Sequence, residues 1–235
     1  IFSREISARL KDYEMSYNSM SESAGPVCTL HLRNDKDKCY VSLDVSGEFL
    51  YKRGHRSFVN RAPLRESTAA LILFEAGVEK YSLIIDPMCG SGTFSIEAAG
   101  ILTCTAASPE RDFPFLYWPG FREKNFQFIK NECIALTETP EKLNKEIITS
   151  DIDEKSIAAA KLNCREIYPG LIKPEKKDFF EIKVPAGKKE KTLLLLNPPY
   201  GRRMGGNEII GLYRKIGEKI REDFAGCGFA IIVPG

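Results

Sequence analysis

Three apolar segments in this chain run straight into residue patterns that ordinary turns do not use. YSLIID runs into PMCGSG, EIITS into DID, and KTLLLL into NPPYG. Between them lie stretches with helical periodicity. APLRESTAALILFEAG reads as a strong amphipathic helix ending at Gly77. TFSIEAAGILT, EKSIAAAKLNCREI (closed by Tyr-Pro-Gly) and NEIIGLYRKIGEKIREDF read as three more helices, and GFAIIVPG as a last strand. Apolar strands alternating with helices predict an α/β fold, a doubly wound parallel sheet with helices on both faces. Such sheets bind ligands at the carboxyl ends of their strands. All three unusual segments fall there.

Composition narrows the class. Of 235 residues, 43% are hydrophobic and 28% charged, ordinary for a globular protein and too apolar for wholesale disorder. No apolar run approaches the roughly 20 residues that span a bilayer, so a membrane-spanning protein is not expected. The opening IFSREISARLKDYE is charged and helical in pattern, unlike a secretory signal. A first residue of Ile suggests a start inside a longer protein. The seven cysteines (28, 39, 89, 104, 133, 164, 227) show no CxxC or metal-ligand spacing. They predict reduced thiols in a cytoplasmic protein and no metal site. Lys plus Arg is 34 against 32 acids, so any nucleic-acid partner must be argued from local clusters.

The organisation reads in three parts. Residues 1–50 form a small α/β piece: the opening helix, then VCTLHLRN and KCYVSLDVS as a hairpin about the charged NDKDK. Residues 51–62 are a basic junction, and 63–235 carry the alternating pattern. An aromatic and Pro-rich stretch, about 104–145 with the lone Trp118, interrupts it. This insertion reads either as a surface excursion with its own small core or as a substrate-facing flap.

The strand-end residues carry the chemistry. Asp86, Pro87, Met88, Cys89, Gly90, Ser91, Gly92 and Thr93 join a strand to a helix, where glycines let backbone amides approach a ligand. A P-loop needs Lys after its last Gly, and none follows Gly92. The dinucleotide fingerprint needs Gly or Ala where Ser95 stands. S-adenosylmethionine is the third reading, with Asp86 taking its ammonium and the turn its amino-acid end; a plain strand–helix turn is the alternative. Asp151-Ile152-Asp153 ends the next strand. There Asp151 suits the hydroxyls of a ribose and Asp153 an N-cap. Asp178 follows a Lys- and Pro-rich stretch that reads as a turn; it could accept from an adenine amino group with Phe179 against the ring, or be an ordinary turn acid.

Asn197-Pro198-Pro199-Tyr200 follows the LLLL strand. Two prolines fix the backbone and remove donors. What remains is acceptors: the Asn197 side-chain oxygen and the Pro198 carbonyl can both accept from one NH₂ group and aim its lone pair at a methyl. Tyr200 can stack on the ring bearing that amine. Positioning suffices, because the amine becomes acidic as it is alkylated.

In this order, DPMCGSGTFSIEAA, SDID, DFF and NPPYG resemble the S-adenosylmethionine-dependent amino-methyltransferases. Two further stretches, VSLDVSGEFLYKRGHRSFVNRAPLRESTAALIL and PERDFPFLYWPGF, are similar to the THUMP-linked bacterial 23S rRNA guanine-N2 methyltransferases. The resemblance runs from about residue 38 to the end. It implies a Rossmann-like class I methyltransferase preceded by a THUMP remnant, S-adenosylmethionine as cofactor, and RNA (23S rRNA or a pre-ribosomal particle) as partner. Asp86, Gly90 and Gly92 would line the methionine end, Asp151 the ribose, Asp178 and Phe179 the adenine, and Asn197, Pro198 and Tyr200 the target base. Arg65 and Glu66 would shape the pocket. Most of a THUMP domain is missing and the chain stops at GFAIIVPG, so a truncated piece is expected. Arg53, Arg56, Arg61, Arg202 and Arg203 are candidates for RNA contacts; for the cluster Lys52 to Arg65 a solvated linker is the alternative. DNA adenine-N6 and release-factor glutamine methyltransferases share the Asn-Pro-Pro-Tyr signature. A non-catalytic RNA- or cofactor-binding module is a rival of another class.

Overall fold

The computed structural model describes residues 28–35, 38–53, 64–108, 111–168, 170–199 and 206–233, the side chains of 34, 165–167, 206 and 207 excepted. The expected opening helix, His55, Arg56, Arg61, Tyr200, Arg202 and Arg203 lie outside these residues. Two compact units result: residues 1–47 with 112–121, and 48–111 with 122–235. In the smaller, β1 (Leu30–Asp35) and β2 (Lys38–Leu43) pair antiparallel with Leu30 opposite Leu43. Its 112–121 segment holds a cluster in which Phe113 stacks on Phe115 at 5.1 Å and Phe115 meets Phe121 at 5.9 Å.

The larger unit carries α1 (Glu66–Ala76), β3 (Leu83–Asp86), α2 (Thr93–Leu102), α3 (Glu123–Leu136), β4 (Glu146–Asp151), α4 (Glu154–Ile167), β5 (Ile172–Lys176), β6 (Thr192–Leu196), α5 (Gly206–Asp223) and β7 (Gly228–Ile231). Its five strands pair in parallel in the order β5-β4-β3-β6-β7. The chain winds outward from β3 to β5, returns to β6 beside β3, and winds outward again. The switch point of this doubly wound sheet therefore lies between β3 and β6, where a ligand crevice is expected.

Period-two side-chain alternation sorts the core. Ile84, Ile147, Leu193 and Leu195 face one way, into a cluster with Ala69 and Leu73 of α1, Phe94 and Ala98 of α2 and Cys164 of α4. Leu83, Ile85, Leu194 and Leu196 face the other way, against Ile216 of α5, Phe224 and Phe179. Because both faces are covered, every residue of β6 is buried, and its Leu run needs no polar alternation.

The structure corrects two expectations. α1 ends at the left-handed Gly77 as read, but it is not cleanly amphipathic: Leu71 is 61% and Phe74 63% exposed. The Lys- and Pro-rich stretch before Asp178 is an edge strand, β5, rather than a turn. Pro174 is tolerated there because an edge strand has one side without a partner to receive its missing N–H. In the insertion, α3 has no buried residue, while the 112–121 segment holds the aromatic cluster described above.

Candidate active site

The three strand-end segments meet at the carboxyl edge of the sheet. Gly90 (φ +55°) and Gly92 (φ +88°) adopt the left-handed conformation that favours glycine, which sharpens the turn between β3 and α2. They differ in surroundings. Among the described residues a Cβ at Gly90 would meet nothing within 4 Å, whereas one at Gly92 would stand 3.3 Å from Cys164 Sγ of α4. The loop is thus open on its Gly90 side and packed on its Gly92 side.

Three contacts from neighbouring elements hold this loop. The Gly90 amide donates to Asp151 Oδ2 at 2.9 Å. The Cys89 amide donates to the Ser150 carbonyl at 3.0 Å, and Asn163 Nδ2 of α4 donates to the Ser91 carbonyl at 3.0 Å. Asp151 therefore does more than end β4. Its other oxygen accepts from the Asp153 amide at 2.9 Å, and each oxygen keeps a second lone pair for a ligand hydroxyl. Asp153 caps α4 as read, accepting from the Lys155 and Ser156 amides. Ile152 leaves an apolar side chain 66% exposed beside Asp151.

Asp86 is fully buried. Its Oδ2 accepts from Ser95 Oγ at 2.8 Å, and Ser95 Oγ accepts in turn from Thr149 Oγ1 at 2.7 Å. Asp86 Oδ1 is buried without a partner among the described residues. Burial holds this carboxyl up at about 7; the Ser95 hydrogen bond works the other way, and the charge of Asp151 raises it further. Burial also pushes the Cys89 thiol well above its ordinary range and Cys164 up to about 12. Both sulfurs stay protonated at neutral pH, so Cys89 offers no thiolate nucleophile despite its place in the loop.

Asn197 and Pro198 leave β6 beside β3, whose Leu83–Ile85 pairs with Thr192–Leu194. Pro198 is buried and Asn197 and Pro199 are half-buried. Asn197 Oδ1 is a buried acceptor without a hydrogen-bond partner among the described residues. In folded proteins such atoms are few and ask for an explanation.

At the next strand end Asp178 Oδ1 accepts from the Phe180 amide at 2.9 Å, closing a short 3-10 turn. Phe179 is buried and stacks on Phe224 at 5.8 Å, so its ring belongs to the core, while Phe180 is 36% exposed. Lys219 of α5 pins the turn from the other side, donating to the Phe180 carbonyl at 2.7 Å. Arg53 is not held out towards solvent as a phosphate contact would be. Its Nε lies 2.9 Å from Glu97 of α2, and the two side chains are 18% and 7% exposed. Arg65 lies over the Tyr51 ring at 5.3 Å, and Glu66 is buried. Among the described residues no group of acids, histidines and cysteines could hold a metal ion. None of the described helices is long and apolar enough to cross a membrane.

A family model described as "RMKL-like, methyltransferase domain" matches residues 53–234. The chain belongs to this family. The match takes in all five strands of the parallel sheet and every strand-end segment above. The chain is 33% identical over 219 residues to the ribosomal RNA large subunit methyltransferase K/L of Saccharophagus degradans, covering 89% of this chain and 29% of that protein. It superposes on the crystal structure of SMU.472 complexed with SAH with a TM-score of 0.78 and 29% identity, covering 94% of this chain and 57% of the other. A protein from Listeria monocytogenes described as a predicted N6-adenine-specific DNA methylase gives 0.76 and 27%, covering 97% and 58%. The chain thus spans about a third to somewhat over half of the length of these relatives.

Ser95, Thr149 and Asn163 escaped the sequence reading. Each is a small polar residue inside an apolar pattern, and its role depends on which element packs over the loop.

Proposed function

We propose that this chain transfers a methyl group from S-adenosylmethionine to the exocyclic amine of an RNA base, N2 of a guanine in large-subunit ribosomal RNA. One observation carries the reading: the buried Asn197 Oδ1, without a partner among the described residues, at the switch point of a sheet whose neighbouring strand ends in an open glycine loop. A substrate amine is the donor this acceptor lacks. The relative named as a ribosomal RNA methyltransferase and the neighbour crystallised with SAH support the substrate and cofactor classes.

The residues present fit the cofactor. The loop Pro87, Met88, Cys89, Gly90, Gly92 and Thr93 leaves space beside Gly90 for its amino-acid end, and Asp86 holds an unused acceptor for the ammonium. Asp151 keeps lone pairs for the ribose hydroxyls. Ile152 and Asp178 offer an apolar face and an acceptor for the adenine, with Phe179 supporting the turn from the core. Once bound, the cofactor supplies a methyl group on a positively charged sulfur.

The chain's own part is orientation. Asn197 Oδ1 and the Pro198 carbonyl accept the two N–H groups of the amine, and Pro198 and Pro199 keep the acceptors in place because a proline's φ is fixed. With both hydrogens held, the nitrogen lone pair faces away from the two acceptors. The nitrogen sheds a proton as it is alkylated, so no strong base is required. Tyr200 would stack on the base, which must leave its helix to arrive. Arg56, Arg61, Arg202 and Arg203 would meet the RNA backbone.

The Listeria description favours a second reading, methylation of adenine N6 in DNA. The residues 44–73, similar to an RNA-binding junction, favour RNA. The test is Asn197→Ala, which removes the side-chain amide and with it the acceptor. Methyl transfer to ribosomal RNA should fall at least ~100-fold while S-adenosylhomocysteine binding stays within about twofold. Unchanged transfer would remove Asn197 from the chemistry.

A further inference from the structure

The Asp86 carboxylate sits at the end of a buried hydroxyl chain that the methyl-transfer chemistry does not use. Thr149 Oγ1 donates to Ser95 Oγ at 2.7 Å and Ser95 Oγ donates to Asp86 Oδ2 at 2.8 Å. All three residues have zero exposure. The chain is laid down by the fold. Asp86 of β3 and Thr149 of β4 are paired across the parallel ladder, so their side chains leave the same face of the sheet, and the first turn of α2 places Ser95 over both. A hydroxyl has a single proton. Because Ser95 Oγ receives Thr149's, its own is committed to Asp86. One carboxylate oxygen is thereby occupied, and Oδ1 is left buried, with no partner among the described residues.

We propose that Ser95 and Thr149 are positioning residues for cofactor binding: they fix the Asp86 carboxylate in one orientation and favour its ionised form, leaving Oδ1 as the acceptor for the ammonium of the cofactor's amino-acid end. The inference rests on the reading of Asp86 given above and adds two residues and a protonation requirement to it. Among the described residues, the titratable groups facing Asp86 oppose ionisation or are silent. Asp151 at the end of β4 is an acid, and Cys89 in the loop and Cys164 on α4 are protonated thiols. The Ser95 contact is what counters burial. An arriving ammonium supplies the missing positive charge, so binding favours the ionised carboxylate.

The consequence is a pH signature. Affinity for the cofactor should rise as pH increases through the neutral range, where Asp86 ionises. Ser95→Ala removes the hydroxyl donor to the carboxylate and should move that midpoint upward by about one pH unit, since hydrogen bonds to a charged form shift its ionisation on that scale. Below both midpoints the variant should then bind about tenfold more weakly, and above them the two curves should converge. Thr149→Val keeps the volume and removes only the far hydroxyl, freeing Ser95 to turn away. Its shift should have the same sign and be smaller.

The experiment is calorimetric titration of the full chain with S-adenosylhomocysteine from about pH 6 to about pH 8.5, for wild type, Ser95→Ala, Thr149→Val and Asp86→Asn. The ligand's own amine titrates identically in every arm, so differences between proteins report the protein. A purely structural role for the hydroxyls would lower the melting temperature without moving the midpoint. Upward midpoint shifts in both hydroxyl variants support the proposal. Unshifted midpoints in both, with Asp86→Asn binding weakened, overturn the positioning role and leave the reading of Asp86 intact. Wild-type affinity in Asp86→Asn removes the ammonium site and the proposal with it.

Discussion

Alanine at Gly90 and at Gly92 should do different things, although the two glycines stand two residues apart in one loop. Both have positive φ, +55° and +88°, so both substitutions force a side chain into the left-handed region at a cost of about 1–2 kcal/mol. The new methyl at Gly90 meets nothing within 4 Å, so that strain is its whole cost to the fold. At Gly92 the methyl comes 3.3 Å from Cys164 Sγ and 3.6 Å from Ala160 Cβ, both on α4, which adds a steric part of up to about 1 kcal/mol. For a chain of this size, 1 kcal/mol moves Tm by about 2–4 °C. Gly90→Ala should therefore lower Tm by about 2–8 °C and Gly92→Ala by up to about 12 °C, with Cys164→Ala in the second background recovering the steric part alone. Ligand binding should order the other way. The space beside Gly90 is where the cofactor's amino-acid end is proposed to lie, and overpacking there costs about 1–3 kcal/mol, roughly 5- to 150-fold in Kd for S-adenosylhomocysteine. Thermal unfolding and calorimetric titration of the same preparations separate the two effects. Wild-type affinity in Gly90→Ala would refute the reasoning, because the open side of the loop would then not be the cradle.

Further expectations follow from single contacts. Asp151→Asn puts an amide in a place where one carboxylate accepts from Gly90 and Asp153; S-adenosylhomocysteine affinity should fall by about tenfold or more, which calorimetry reads directly. Lys219→Met leaves the Phe180 carbonyl without its donor and should cost about 1–3 kcal/mol, seen as a lower Tm in thermal unfolding. Asp86 is raised from 3.8 to about 7 in the fold, so the native state holds a proton that the unfolded chain has released. Stability should accordingly fall as pH rises from about 4 to about 7 and level off above, and Asp86→Asn should remove that slope from denaturant titrations run across the range.

Much of the fold could be read from period alone. Leu83–Ile85 and Leu193–Leu196 are unbroken apolar runs, which marks strands covered on both faces, and the helices between them force parallel pairing. The strand-end segments were legible for the same reason: Gly-rich, acidic and Pro-Pro sequences stand out directly after buried strands. β5 was harder because IKPEK has the composition of a turn, and only its place at the sheet edge lets Pro174 lie in a strand. Leu71 and Phe74 misled in the other direction, since apolar residues at helical spacing need not face the core. Inside the site, Asp151 was visible as a strand-end acid, but its grip on the Gly90 amide, 61 positions away in the chain, was not. Ser95 and Thr149 carry no local signal, because two hydroxyls become a chain only when β3, β4 and α2 bring them within reach of Asp86. Arg53 shows the converse. A basic run suggests solvent and phosphate, and its turn inward to Glu97 is decided by tertiary packing.

The central claim is methyl transfer to an RNA amine, and it is tested most directly by letting the protein choose its substrate. Unmodified ribosomal RNA, unmethylated DNA and a release factor would each be incubated with isotopically labelled S-adenosylmethionine, digested and resolved by mass spectrometry. Label in N2-methylguanosine from the RNA, with DNA and protein blank, is the predicted result. Label in N6-methyladenine or in glutamine, with the RNA blank, would contradict it.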